Sequence, residues 1–318
     1  MPRKKKYEVL EHGHGYTPEQ VKKLKIPAPP IHIQQMNVPH MWEHGYTGKG
    51  SVIAILDTGC DIENPLIKDK IVHYCNLTED DDSNSSIVTD YIGHGTHIAT
   101  LIAGDNYDDK VMGVAPDAKL MIYKVIDRTG YSRYELIARG VYAAIQRGAN
   151  VINMSLAGRE PAPEIHEAIK MANKMGCSVV VAAGNDGDDK DKTIEIAYPG
   201  CYDECIQVGS IGNDGKIAKF SNSNPYIDCV ANGNALLSSH LNGNFATLSG
   251  TSQSAPLVCG ALALLREWAT KEYKRKVSES ELYGLLIKNT KSIPDTDRNA
   301  QGHGMVYLDP YIDEEKSE

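Results

Sequence analysis

A chain of 318 residues with a hydrophobic share of 41% and a charged share of 24% holds enough apolar material for one large core, without a disulfide or metal staple. Its formal net charge of -9 argues against a general nucleic-acid binder, and the only dense basic run, Arg3-Lys4-Lys5-Lys6, reads as a solvated tail. Charge interrupts every apolar run before the roughly 18 residues a membrane span needs, and the first residues lack the apolar stretch of a secretory signal.

Residues 1–30 are rich in Lys, His and Gly and end in Lys25-Ile26-Pro27-Ala28-Pro29-Pro30, where prolines enforce an extended backbone. This predicts an N-terminal extension ahead of a domain over 31–310, with 311–318 as a C-terminal tail. Short β-branched runs predict strands at 51–56, 119–125, 151–154, 178–182 and 205–209. Helical spacing places Ile137, Val141 and Ile145 on one face of 132–147, and Ile165, Ile169 and Ala172 on one face of 163–175. The stretch 205–250, rich in Gly, Asn and Ser, reads as short strands and loops. A long apolar helix follows Ser252, and Ser278-Glu279-Ser280-Glu281 opens another with a capping-box pattern. Continuous apolar strands alternating with helices predict a single α/β domain, its mostly parallel central sheet covered by helices on both faces. The seven cysteines are odd in number and scattered through this pattern, which suits small buried hydrophobes in a reducing cytoplasm.

In open sheets of this kind, ligands bind outside the carboxyl ends of the strands. Asp57 follows the first predicted strand, Ser155 the third and Asn185 the fourth, so polar groups gather at one edge. A carboxylate at the end of a buried strand, as at Leu56-Asp57-Thr58-Gly59, is costly without a partner, although taken alone it is equally a turn or capping Asp. In Gly93-His94-Gly95-Thr96-His97, His94 stands between two glycines at the start of an apolar helix, whose positive end disfavours imidazolium and keeps a base neutral. His97 is a rival, one turn further in and better placed for packing. Ser252, in Ser249-Gly250-Thr251-Ser252, stands at the first turn of its helix, where its own N–H can face a developing oxyanion; by itself it is equally an N-cap. Asn185, after Ala182-Ala183-Gly184, carries an uncharged donor suited to the same oxyanion, though Gly-Asn alone is a turn signal.

Acid, base and nucleophile therefore occur in the order Asp57, His94, Ser252, which is also the chain order of subtilisin. On the stretches Ala54-Ile55-Leu56-Asp57-Thr58-Gly59, Gly93-His94-Gly95-Thr96-His97, Gly113-Val114-Ala115-Pro116, Asn153-Met154-Ser155-Leu156, Ala182-Ala183-Gly184-Asn185 and Gly250-Thr251-Ser252, residues 31–310 resemble the subtilisin-like serine proteases. The resemblance implies a serine endopeptidase with Asp57, His94 and Ser252 as triad and Asn185 at the oxyanion hole. It also implies that Ser155, Leu156, Ala157 and Gly158 pair with an extended substrate and wall the specificity pocket, with an apolar preference before the cut; Asp186 on the rim could extend this to basic side chains. No cofactor is expected for catalysis, and activity should fall as a histidine base protonates, near the ordinary value of about 6.5.

Only 56 residues precede Asp57, and that short extension together with Asp57-Thr58-Gly59-Cys60 looks like the bacterial intracellular subtilisins. In that group a short extension covers the active site until it is cleaved, and the enzyme is a homodimer. The expected partners are polypeptide substrates and the chain's own extension as inhibitor, with no nucleic acid and no membrane. The usual Leu-Ile-Pro-Tyr inhibitory motif is not evident near Tyr7-Glu8-Val9-Leu10. The chain also departs at Gln253-Ser254, where Met-Ala is common, and at Ala157, where Gly is frequent. Structural calcium is implied by the resemblance, but Leu66 and Tyr107 stand where two of its oxygen ligands are usual, and an ion that needs 6–8 oxygens loses two. The acidic runs Glu79-Asp80-Asp81-Asp82 and Asp186-Gly187-Asp188-Asp189 read as solvated surface. Other hydrolase patterns fail: His166-Glu167-Ala168-Ile169-Lys170 lacks the second histidine of a zinc protease, and no Gly-x-Ser-x-Gly elbow is present. The reading from another class is a non-catalytic scaffold on the same fold.

Overall fold

A strand that is apolar at every position must bury both faces, and the chain builds its sheet from such strands. The computed structural model describes the backbone of Lys5 and Lys6 and residues 13–190 and 192–309. Ahead of the sheet come β1 (Lys5–Lys6), β2 (Gly15–Tyr16), α1 (Pro18–Lys23), α2 (Ile31–Gln35) and α3 (Val38–Glu43). The first half of the domain runs β3 (Val52–Asp57), β4 (Ile71–Asn76), α4 (His94–Ala103), β5 (Lys119–Lys124), β6 (Tyr131–Ser132), α5 (Tyr134–Gln146), β7 (Val151–Met154), α6 (Pro163–Lys174) and β8 (Ser178–Ala182). The second half runs β9 (Ile206–Ile211), β10 (Ile227–Asn232), the hairpin β11 (Leu236–Ser239) and β12 (Phe245–Leu248), then α7 (Thr251–Tyr273), α8 (Glu279–Lys288), β13 (Thr290–Lys291), α9 (Arg298–Gln301) and β14 (Met305–Val306).

Nine strands form the main sheet in the order β13-β14-β10-β9-β8-β7-β3-β5-β4. Every pairing in it is parallel except β13 with β14. Near its centre, Ile53 and Ile55 enter the core shared with α4 and α7, while Ala54 and Leu56 enter the core shared with α5 and α6. Both faces of β3 are thereby dry, which is why the run reads as continuously apolar. Helix α7 is buried on all sides from Gln253 to Leu265, as expected of a helix with little polar face. The mostly parallel, helix-covered α/β sheet agrees with the sequence reading.

Four details differ from that reading. Asp57 is the last residue of its strand, held in register opposite Lys124 of β5. An edge strand, β4, was not anticipated; its burial alternates, so it lacks the continuous apolar run of the others. Within 205–250, β9 stands where the run 205–209 predicted a strand, and β10, not assigned from the sequence, joins it in the parallel sheet. Between Gly15 and Lys23 the chain forms a strand and a helix within the extension, where the sequence reading assigned no elements. The signal for α1 lies in Thr17-Pro18-Glu19-Gln20, a capping box: Gln20 N–H donates to Thr17 Oγ1 at 3.3 Å and Thr17 N–H to Gln20 Oε1 at 2.8 Å. All seven cysteines are unpaired, Cys75 half-buried and the others buried. Among the described residues, no helix is long and apolar enough to cross a membrane.

Candidate active site

Asp57 ends β3 and His94 begins α4, so the carboxylate and the imidazole meet at the carboxyl edge of the sheet. The ring's Nδ1 lies 2.7 Å from Asp57 Oδ1, and both side chains are buried. A carboxylate only accepts, so the proton of this bond sits on Nδ1 and the lone pair on Nε2. Thr58 N–H donates to the same Asp57 oxygen at 2.7 Å and fixes the carboxylate.

Local sequence explains how α4 reaches that point. Gly93 has φ of +94°, a left-handed conformation that turns the chain into the helix. At Gly95 a Cβ would stand 2.0 Å from Gly59 O, so no larger residue fits between helix and strand end. Asp90 takes N–H groups at the helix start: Gly93 N–H donates to Oδ1 at 2.7 Å and Thr96 N–H to Oδ2 at 2.9 Å, while Gly95 N–H donates to Thr58 Oγ1 at 2.9 Å. The hydroxyls of Thr58 and Thr96 donate to the same carboxylate at 2.9 and 2.8 Å. Asp90 thus caps α4 from outside the helix and ties it to the residue after Asp57.

Ser252 is the second residue of α7, where its N–H has no partner within the helix. Pro256, four residues on, has no N–H to donate to Ser252 O. That carbonyl instead accepts from Ser155 Oγ at 2.7 Å, while Ser252 Oγ donates to Ser155 O at 3.2 Å. Asn153 Nδ2 in turn donates to Ser155 Oγ at 3.0 Å, so β7 and the start of α7 are stitched together. Asn185 Oδ1 accepts from Thr251 N–H at 2.9 Å and Thr251 Oγ1 at 3.1 Å. The backbone donor fixes the amide's orientation, and Nδ2 is left as the donor on the other side.

Segment 155–158 leaves the end of β7 and reaches Gly158, which exchanges backbone hydrogen bonds with Tyr198 at 2.8 and 2.7 Å. Leu156 is buried and Ala157 half-buried. At β6, Lys5 and Lys6 pair antiparallel with Ser132 and Tyr131. Across the rim, Arg159 Nη2 donates to Asp186 Oδ1 at 2.6 Å. Among the described residues, no group of three or more His, Cys, Asp or Glu side chains is arranged to hold a metal ion.

The subtilase family pattern of peptidase S8 matches residues 48–304, which contain every element of this site except β1. The chain belongs to the subtilase family. It is 43% identical over 279 residues to the intracellular serine protease of Paenibacillus polymyxa, covering 88% of this chain and 85% of that one. To the major intracellular serine protease of Bacillus subtilis it is 41% identical over 293 residues, covering 92% and 91%. Subtilisin E of the same organism is 31% identical over 258 residues, 80% of this chain and 66% of its own. The protein is a subtilisin-type serine endopeptidase.

This subtilase also holds parts that its motifs do not announce. The signal for Asp90 was an acidic residue four positions before His94, a spacing outside the usual capping pattern. Lys124 is fully buried at the end of β5 and donates to Thr58 O at 2.6 Å and Ile126 O at 3.2 Å, with Asp80 Oδ2 at 3.1 Å. Asp80 also accepts from Arg128 N–H at 2.8 Å and Nε at 3.0 Å. Burial alone would raise its carboxyl, but the bonds from Arg128 and Lys124 outweigh it and hold the group below the ordinary range. The acidic run expected on the surface therefore supplies a buried counter-ion, found only once Lys124 is seen to need one. His97 serves the fold: it is fully buried, its Nε2 lies 3.1 and 3.2 Å from Leu236 O and Ala246 O, and burial brings it down to about 3.

Proposed function

We propose that this subtilase cleaves polypeptides by acyl transfer, with Asp57, His94 and Ser252 as acid, base and nucleophile. His94 Nε2 takes the Ser252 proton as Oγ attacks the peptide carbonyl; Asp57 holds the resulting imidazolium. Asn185 Nδ2 and the Ser252 N–H receive the charge that develops on the carbonyl oxygen. His94 then passes its proton to the departing amine, and water, deprotonated by the same ring, frees the acyl group. The observation that carries this reading is the buried Nδ1 bond from His94 to Asp57, which leaves Nε2 as the base.

The substrate is read as an extended strand lying between β6 and segment 155–158, recognised mainly through its backbone. The apolar wall at Leu156 and Ala157 supports an apolar side chain before the cut. Asp186 supplies a carboxylate on the rim, but Arg159 pairs with it and cancels its charge. Arg159→Gln should therefore raise kcat/KM for Lys or Arg before the cut about fivefold relative to Leu, the scale of one exposed charge pair of ~1 kcal/mol. Unchanged ratios across a peptide series would remove Asp186 from the pocket.

Intracellular protein turnover is supported by the two relatives named intracellular serine proteases; a homodimer rests on the family resemblance alone. The N-terminal extension is read as an inhibitor that self-processing removes. Its support is that β1 occupies the antiparallel edge of β6, the wall assigned to substrate, while β2 pairs with β12 just before Ser252. Tyr7-Glu8-Val9-Leu10 lie outside the described residues.

A fluorophosphonate probe tests nucleophile and inhibitor together. It should label Ser252 alone, and faster in a chain shortened by its first 12 residues than in the full chain. A chain that stays unlabelled in both forms is a scaffold; equal rates would dismiss the inhibitor.

A further inference from the structure

The loop 104–112 carries three carboxylates, and each is satisfied by this chain's own donors. Asp105 pairs with Lys70 at 2.8 Å, Asp109 accepts from Asn106 Nδ2 at 2.6 Å, and Asp108 pairs with Lys110. Leu66 is buried in the apolar core, and Tyr107 places its ring 4.9 Å from that of Phe245. Two ammonium groups and an aromatic ring thus occupy the neighbourhood where the family resemblance implies calcium. The residues do not fit that ion, which asks for a shell of six or more free oxygens.

Helix α1 sits on the same loop instead. Val21 is completely buried in the core cluster that includes Ile102, Val111 and Phe245, and Tyr107 and Leu24 pack against that cluster. Tyr107 Oη donates to Pro18 O at 3.3 Å, at the first residue of α1. Lys110 Nζ donates to Lys22 O at 2.9 Å, satisfying a carbonyl that the helix's last turn leaves without a partner. The loop's lysine therefore reaches both an Asp of the loop and the backbone of the helix.

We propose that α1 is a resident part of the peptidase domain that replaces a calcium ion: Val21 and the Lys110 ammonium close the loop 104–112, and the domain's stability is independent of calcium. The structural boundary of the domain then falls before Thr17, and only the residues ahead of it are removable. A processing cut beyond Lys23 would detach a piece of the core. The proposal rests on packing and charge at a place remote from His94, and it stands or falls without the catalytic assignment.

Thermal unfolding of the full chain carrying Ser252→Ala, which cannot digest itself, tests it. Added calcium and added EDTA should each leave Tm within about 1 °C. Val21→Asp should lower Tm by about 5 °C or more, since it buries a charge in the shared core. Lys110→Met, a milder change that keeps the stem, should lower it by about 2 °C, and Lys23→Ala on the exposed face should leave it unchanged. If calcium raises Tm by several degrees, or if Lys110→Met melts with the parent, the proposal is overturned. A Val21→Asp chain that melts with the parent would equally overturn it.

Discussion

Replacing His94 by alanine should lower kcat by about 10⁶, and adding Ser252→Ala to that chain should cost almost nothing further. Losses of this size and this lack of additivity are those measured for the corresponding residues of subtilisin itself. The reason is that in the proposed mechanism base and nucleophile act in one step. Once Nε2 is gone, the Ser252 hydroxyl keeps its proton and attacks no better than water. In the same proposal Asp57 serves that step through Nδ1, with which it forms a bond of 2.7 Å. Single-turnover hydrolysis of an activated ester by the three variants, with Tm measured alongside, provides the check. A double variant another 10³ slower than either single one would mean that the two residues act independently, and the triad assignment would fail.

The second large effect is expected at Asn185. Asn185→Ala should reduce kcat by about 10²–10³ with little change in KM, as loss of the oxyanion-hole amide does in subtilisin. The ground-state carbonyl oxygen makes a weaker bond there than the tetrahedral oxyanion, so the interaction is spent on the barrier and not on binding. Asn185 has a second duty, since its Oδ1 holds Thr251 N–H and Oγ1 at the start of α7. Thr251→Val separates the two, because it removes the hydroxyl bond and keeps the Nδ2 donor. Its kcat should fall far less than that of Asn185→Ala. A raised KM at unchanged kcat in Asn185→Ala would place the amide in substrate binding and not in the oxyanion hole.

Much of the architecture was legible in the chain because its signals are local. Period and composition are short-range properties, so the continuously apolar runs now seen as β3, β5, β7 and β8 marked a parallel sheet, and the spacing of Ile137, Val141 and Ile145 marked α5. The edge strand β4 escaped notice because one of its faces stays wet and its run alternates. Helix α1 was legible in principle, since its capping box stands in plain sequence, but six residues are too few for a helical period to show.

By itself, the sequence determined the family motifs, their order along the chain and the sheet edge at which Asp57, Ser155 and Asn185 emerge. These depend on residue type and spacing, which a chain carries whether folded or not. Only the tertiary structure decided which groups share a proton or a charge. Asp90 caps a helix it does not belong to, Asp80 neutralises Lys124 from 44 residues away in the chain, and Ser155 receives the carbonyl contact that Pro256 cannot supply. Partners of this kind are chosen by burial: a charge or a carbonyl taken out of water must find its complement in space, and distance along the chain says nothing about where that complement will be.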